Sequence, residues 1–119
     1  LDTTAPTVTF SPLNNATGAG RRANITITFS EAVRLLNNDD LTDSNVDSLI
    51  TLKWPDAGGT DIGFDATIND AKTVITINPS ATLPTIRDIY VAIGATVEDS
   101  VGNAITASTA TFKTCKSCN

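Results

Sequence analysis

Residues 24–36 read NITITFSEAVRLL. Within them Ile25, Ile27 and Phe29 alternate with Thr26, Thr28 and Ser30. A period of two in β-branched and aromatic residues specifies a strand with one dry face and one wet face. It also fixes the pairing register, because a slip of one residue turns every apolar side chain to the wrong face. The series meets Glu31 where the next inward residue is due, and Val33 and Leu35 then resume it. A carboxylate buried without a partner is too costly to keep. Either Glu31 is a catalytic acid, or the chain turns a corner there and delivers the carboxylate to water or to backbone N–H groups. Acid–base catalysis needs a second, placed group, so the corner is the reading adopted.

The same logic orders the rest of the chain. TVTF (7–10) sets Val8 and Phe10 on one face, and 11–22 is turn chemistry rich in Pro, Asn and Gly. A further extended stretch covers 32–36. The polar, acidic segment 37–50 reads as a loop with one short helical turn. Strands are expected at 50–54, 62–68, 73–77, 89–93 and 105–112, with 62–68 and 73–77 forming a hairpin around NDAK. Residues 78–84 form a crossing loop, and EDSVGN (98–103) turns the chain between the last two strands. Seven or eight short strands with no amphipathic helix specify an all-β antiparallel sandwich. The expected core is Val8, Phe10, Ile25, Ile27, Phe29, Val33, Leu52, Ile75, Ile77, Val91, Ile93 and Phe112. Residues 1–119 form a single domain, with a linker over 1–6 and a tail over 114–119.

Composition narrows function. The chain has 119 residues and a net charge of −5, and it contains no His. A domain of this size buries roughly two-thirds of its unfolded surface. The acidic balance argues against a nucleic-acid or anionic-lipid partner. Lack of His removes the commonest general base and the commonest metal ligand. No apolar run approaches the ~20 residues that span a bilayer. The start at Leu1 carries no signal-peptide pattern, and the expectation is a processed protein or an excised domain.

Four segments taken in order resemble one family: TAPTVTFSPLNNATG (4–18), NITITFSEAV (24–33), DAKTVITINPSATLP (70–84) and VEDSVGNAI (97–105) with a closing TF at 111–112. Together they resemble a bacterial immunoglobulin-like domain of the S-layer and surface-protein type. The resemblance runs from Thr4 to Phe112. It implies a two-sheet Greek-key sandwich from extracellular proteins, usually strung in tandem as spacers or as accessories beside a functional domain. In that family FSEAV is the corner where the second strand ends. Such domains often carry a Tyr six residues after the Leu of the crossing loop. Counted from Leu83 that place holds Ile89, and Tyr90 stands one step late, on the other face. Trp54 lacks the inter-sheet cysteine pair of antibody domains.

Candidate sites follow. Cys115 and Cys118, in TCKSCN, read as a local disulfide or as cysteines pairing with another chain; a redox pair and half a metal site are the alternatives, and a four-thiolate zinc site lacks its second pair. The candidate calcium ligands are Asp2 in the linker and Glu98, Asp99 and Asn103 in the turn, where a neighbouring domain would complete the six to eight oxygens. The alternative is that Asp99 and Asn103 shape the turn themselves. DSNVD (43–47) starts like an EF-hand loop, but Ser48 and Trp54 stand where Gly and Glu are required, which leaves a solvated loop. For a Lys–Asn isopeptide only Lys53 merits attention. NAT (15–17) and NIT (24–26) match the glycosylation pattern as chance matches in an Asn- and Thr-rich chain. The function expected is a non-catalytic spacer of an extracellular surface-layer or adhesin-type protein, partnered by neighbouring domains or identical subunits, with no nucleic acid and no membrane insertion. The alternative is the protomer of an extracellular filament that donates residues 1–10 or 105–119 as a strand. A carbohydrate- or wall-binding accessory is a third reading, poorly supplied with aromatics.

Overall fold

The computed structural model describes residues 4–21, 24–56, 58–80 and 82–115. Among the described residues there are ten strands: β1 (Val8–Ser11), β2 (Ile25–Phe29), β3 (Arg34–Leu35), β4 (Ile50–Trp54), β5 (Thr60–Asp61), β6 (Phe64–Ile68), β7 (Val74–Pro79), β8 (Asp88–Ile93), β9 (Val97–Glu98) and β10 (Ser108–Lys113). One turn of 3₁₀ helix, Val46–Leu49, precedes β4. One sheet has the order β1-β2-β7-β6 and the other β10-β8-β4-β5, while β3 and β9 form a separate ribbon. All named pairings are antiparallel. The sandwich expected from the alternation is therefore present, with short strands added to the seven or eight anticipated.

The alternation of 25–29 sets the core. Ile25 pairs with Ile77 and Ile27 with Ile75, and these four side chains are at most 1% exposed. Leu52, Ile89, Val91, Ile93, Ala110 and Phe112 meet them from the second sheet, in one buried cluster. Of the expected core, Val8 is only half-buried, because it packs at the rim of an edge strand. Leu41, Val46, Leu83, Val97 and Ile105 complete the core from loops and short elements.

Two expected strands are divided between partners. The Ile62 N–H donates to Leu52 O in the second sheet, whereas Gly63 O accepts from Ser80 N–H and β6 pairs with β7 in the first. The stretch 62–68 thus crosses from one sheet to the other at Gly63. Likewise Ala104 bridges Glu98 and the Ile105 N–H donates to Val97 O, so 104–105 belongs with β9 before the chain enters β10. The chain also turns at Glu31. β2 stops at Phe29, Ser30 N–H donates to Thr7 O, Val33 N–H donates to Lys72 O, and β3 leaves to pair with β9. Glu31 is half-buried at that corner.

Free sheet edges are shielded by named groups. On the outer edge of β6, the Ala66 and Ile68 N–H groups donate to Asp47 Oδ1 (2.8 Å) and Asp43 Oδ1 (2.9 Å). These carboxylates of DSNVD stand in for a missing strand, at the i and i+2 spacing of a ladder, instead of merely solvating a loop. Along β10, Lys113 N–H donates to Ala16 O (2.8 Å) and Thr111 O accepts from Asn15 N–H (2.7 Å), so the loop after β1 covers that edge. β5 is only two residues long. Unpaired edges invite pairing with other chains, and this packing denies most of them.

Two substitutions test this account. Ile27→Ala removes a fully buried side chain from the centre of the seam and lowers the unfolding free energy by about 2–5 kcal/mol in urea titration. Asp47→Ala removes the acceptor of the Ala66 N–H, lowers stability by about 1–3 kcal/mol, and raises the concentration-dependent aggregation rate in light scattering.

Candidate functional site

Hydrogen bonds place the two ends of the described segment at opposite poles. Thr7 N–H donates to Ser30 Oγ at the end of β2, beside the β6–β7 turn. β10 runs the other way from that pole and ends at Lys113, next to the loop that follows β1. The chain enters at what we call the N-terminal pole and leaves through Cys115 at the C-terminal pole. The longest dimension is 49 Å against 25 Å in the other two.

At the C-terminal pole one hydroxyl fastens the crossing loop. Thr114 is 2% exposed. Its Oγ1 donates to Pro84 O (2.6 Å) and accepts from Arg87 N–H (3.0 Å), and its own N–H donates to Arg87 O (3.0 Å). Arg21 Nε donates to Leu83 O (2.7 Å) while Arg21 O accepts from Leu83 N–H (2.9 Å). Thr114 thus supplies the side-chain tie that a corner tyrosine would give. Tyr90 lies opposite Lys53 and Thr111 on the outer face and is half-buried, whereas Ile89 points inward with no exposure. The signal in sequence was slight: a Thr at the inward parity after Phe112.

The EDSVGN turn lies towards the N-terminal pole. Asp99 is fully buried. Its Oδ1 accepts from Val101 N–H (3.0 Å) and Asn103 N–H (2.9 Å), and its Oδ2 accepts from Asn103 Nδ2 (2.9 Å). Gly102 closes the turn at φ 93°, a conformation that suits glycine. Glu98 Oε2 accepts from Arg34 Nε and Nη2, each at 2.8 Å. Asp2 lies outside the described residues. A calcium shell needs six to eight oxygens; here Glu98 Oε2 and both Asp99 carboxylate oxygens accept from N–H donors. Among the described residues no group of three or more His, Cys, Asp or Glu is set to hold a metal.

Cys115 is disulfide-bonded; Cys118, the chain's other cysteine, lies outside the described residues. Lys53 Nζ reaches Asp61 Oδ1 at 3.2 Å, and that Asp61 side chain is 85% exposed. The pair is a surface ion pair, not the buried setting an isopeptide requires. Trp54 is half-buried against the core.

The poles differ in surface. Leu13 and Ile86, 64% and 46% exposed, belong to the two loops of the C-terminal pole; Leu36 and Val101, 51% and 57% exposed, belong to turns flanking the β3–β9 ribbon. An open depression of about 180 Å³ near the N-terminal pole is lined by Ala32, Val33, Arg34, Asp40, Lys72 and Ser100. Among the described residues no helix is long and apolar enough to cross a membrane.

The sequence matches the family described as bacterial Ig-like domain over residues 2–114. The chain belongs to that family. Solved structures share the fold at low identity. The S-layer protein SbsC (31–844) aligns with a TM-score of 0.64 and 16% identity, covering 96% of this chain and 14% of that one. An L,D-transpeptidase from Mycobacterium smegmatis aligns with a TM-score of 0.57 and 18% identity over 94% of this chain and 41% of that one. CopC from Methylosinus trichosporium OB3b aligns with a TM-score of 0.60 and 13% identity, over 96% and 97% of the two chains. This Ig-like domain thus spans about a seventh of the S-layer chain it resembles. No curated protein sequence matches it. Thr114→Val keeps the shape of the C-terminal pole but leaves Pro84 O and Arg87 N–H without their hydroxyl partner; a loss of about 1–3 kcal/mol in urea denaturation is expected, with faster amide exchange across 85–87.

Proposed function

We propose that this bacterial Ig-like domain is a non-catalytic structural spacer of an extracellular surface protein, holding its neighbours apart along the chain. The observation that carries the reading is that the described segment enters and leaves the sandwich at opposite poles, at Thr7 and at Cys115. A stiff body strung by its poles transmits distance, whereas a domain whose ends meet can be inserted without adding length. The likeness to part of an S-layer protein supports a surface setting. In both the S-layer protein and the transpeptidase, the similar region is a minority of a longer chain.

The filament reading has weaker support. Donation of residues 1–10 would strip β1 from β2 and pull Phe10 from the core. Donation of 105–119 would remove β10, with Ala110 and Phe112. Each buried aromatic or aliphatic side chain withdrawn forfeits about 1.5–3 kcal/mol. Carbohydrate binding would want an exposed aromatic platform, and Trp54 and Tyr90 are both half-buried and far from forming one.

Antibodies raised against the folded domain test the reading on intact cells of the source organism. Surface labelling without permeabilisation is expected. Labelling that needs permeabilisation overturns it.

A further inference from the structure

We propose that the domain bears tension along its chain, through a clamp in which residues 14–19 run parallel to 111–115 and are loaded in shear. The inference rests on the spacer reading and adds what the spacer withstands: a pull at its two exits.

Five hydrogen bonds make the clamp. Asn15 N–H donates to Thr111 O (2.7 Å), and Thr111 N–H donates to Asn14 Oδ1 (2.9 Å). Lys113 N–H donates to Ala16 O (2.8 Å), Ala19 N–H to Lys113 O (3.1 Å) and Cys115 N–H to Ala19 O (2.9 Å). Ala19 and Thr114 form a parallel bridge, whereas the pairings between named strands are antiparallel. Asn14 and Thr111 stand 97 positions apart. While the clamp holds, a pull passes across these bonds, and the chain between them cannot extend.

Strand directions decide how the bonds are loaded. β1 runs from the N-terminal pole toward 14–19, since Val8 pairs with Phe29 and Ser11 with Thr26. β10 runs the same way and ends at Lys113. A pull at the entry draws 14–19 back toward the N-terminal pole. A pull at the exit draws 111–115 out of the C-terminal pole. The two segments are drawn past each other in opposite senses, across bonds that run between strands and not along them. In shear the bonds share the load and fail together, whereas a pair of strands opened from one end gives them up one at a time. Both segments are also held to the body. Phe10 anchors β1 in the core, and Ala16 and Ala19 pack against it. Phe112 is buried, and Thr114 is tied to Pro84 and Arg87. β1 is itself loaded lengthwise against β2, and β10 against β8.

Forced unfolding is governed by the unfolding rate and not by equilibrium stability. Removing an interaction that is broken in the transition state raises that rate, and removing one still intact there does not. The clamp therefore predicts a split: bonds between 14–19 and 111–115 set the rate under load, and bonds at the β6 edge do not.

Single-molecule pulling on the full chain, tethered at its two ends, tests this. Rupture is expected at a force several-fold above that for a tether between the N-terminal end and Asp70→Cys, on the β6–β7 turn of the same pole, which opens β1 from β2 pair by pair. At constant end-to-end force, Asn14→Ala removes the acceptor of the Thr111 N–H and should unfold about five-fold faster. Ala19→Pro deletes the N–H bonded to Lys113 O and is a second clamp variant with the same direction of effect. Asp47→Ala, which weakens the β6 edge in urea, should leave the rate under load unchanged. Circular dichroism reports that each variant is folded. Equal rupture forces in the two pulling directions, an unchanged rate in both clamp variants, or an equal acceleration by Asp47→Ala overturns the proposal. If surface labelling succeeds and pulling finds no clamp, the spacer stands and carries no tension. If labelling fails while the clamp is found, the spacer reading falls and the tension-bearing device stands.

Discussion

Ile25, Ile27, Ile75 and Ile77 close the seam between the sheets, paired two by two across one antiparallel ladder. Each is at most 1% exposed. Burying such a side chain contributes about 1.5–3 kcal/mol, whereas an exposed ion pair such as Lys53–Asp61 contributes ~0–1 kcal/mol. The seam therefore decides the fold and the ion pairs decorate it. Once β2 and β7 are locked in this register, β1 and β6 must lie outside them, and the second sheet must present Leu52, Val91 and Phe112 to the same plane.

A sandwich built on that seam still has edges to manage. Its solutions are local and inexpensive: two aspartates on β6, a loop along β10, a two-residue β5. β1 is the edge strand that keeps outward-directed backbone groups, because Thr7, Thr9 and Ser11 bond to β2 while Val8 and Phe10 turn the other way. It is short and bracketed by Pro6 and Pro12, which limits how far a foreign strand could extend the pairing. Shielded flanks leave the poles as the surfaces most open to neighbours, and the described segment enters and leaves there.

Legibility in the sequence followed the range of the interaction. Strands 25–29, 50–54 and 89–93 were readable because period two is a local property, and so were most core positions. The turn at Glu31 was readable because a lone carboxylate cannot continue an apolar face. Leu41, Val46 and Leu83 were not, since they sit in loops without a period and are buried only by what folds over them. The division of 62–68 at Gly63 was equally hidden: Ile62 and Phe64 share a parity, and only the partners Leu52 and Pro79 separate them. The acidic turn at 98–103 was legible as a turn, but the choice between a cation site and a self-held loop depended on where the Asn103 and Val101 N–H groups fell.

By itself the sequence determined an all-β sandwich, its inward face, its lack of histidine chemistry and its family likeness, because alternation, composition and turn residues act between neighbours in the chain. Tertiary structure alone decided which donors Asp43 and Asp47 satisfy, and that Thr114 ties the crossing loop where Tyr90 cannot. Those facts join residues 19 to 30 positions apart, as in Asp47–Ala66 and Thr114–Pro84, and a side chain's partner across such a span is fixed by how strands cross between sheets, not by its neighbours in sequence.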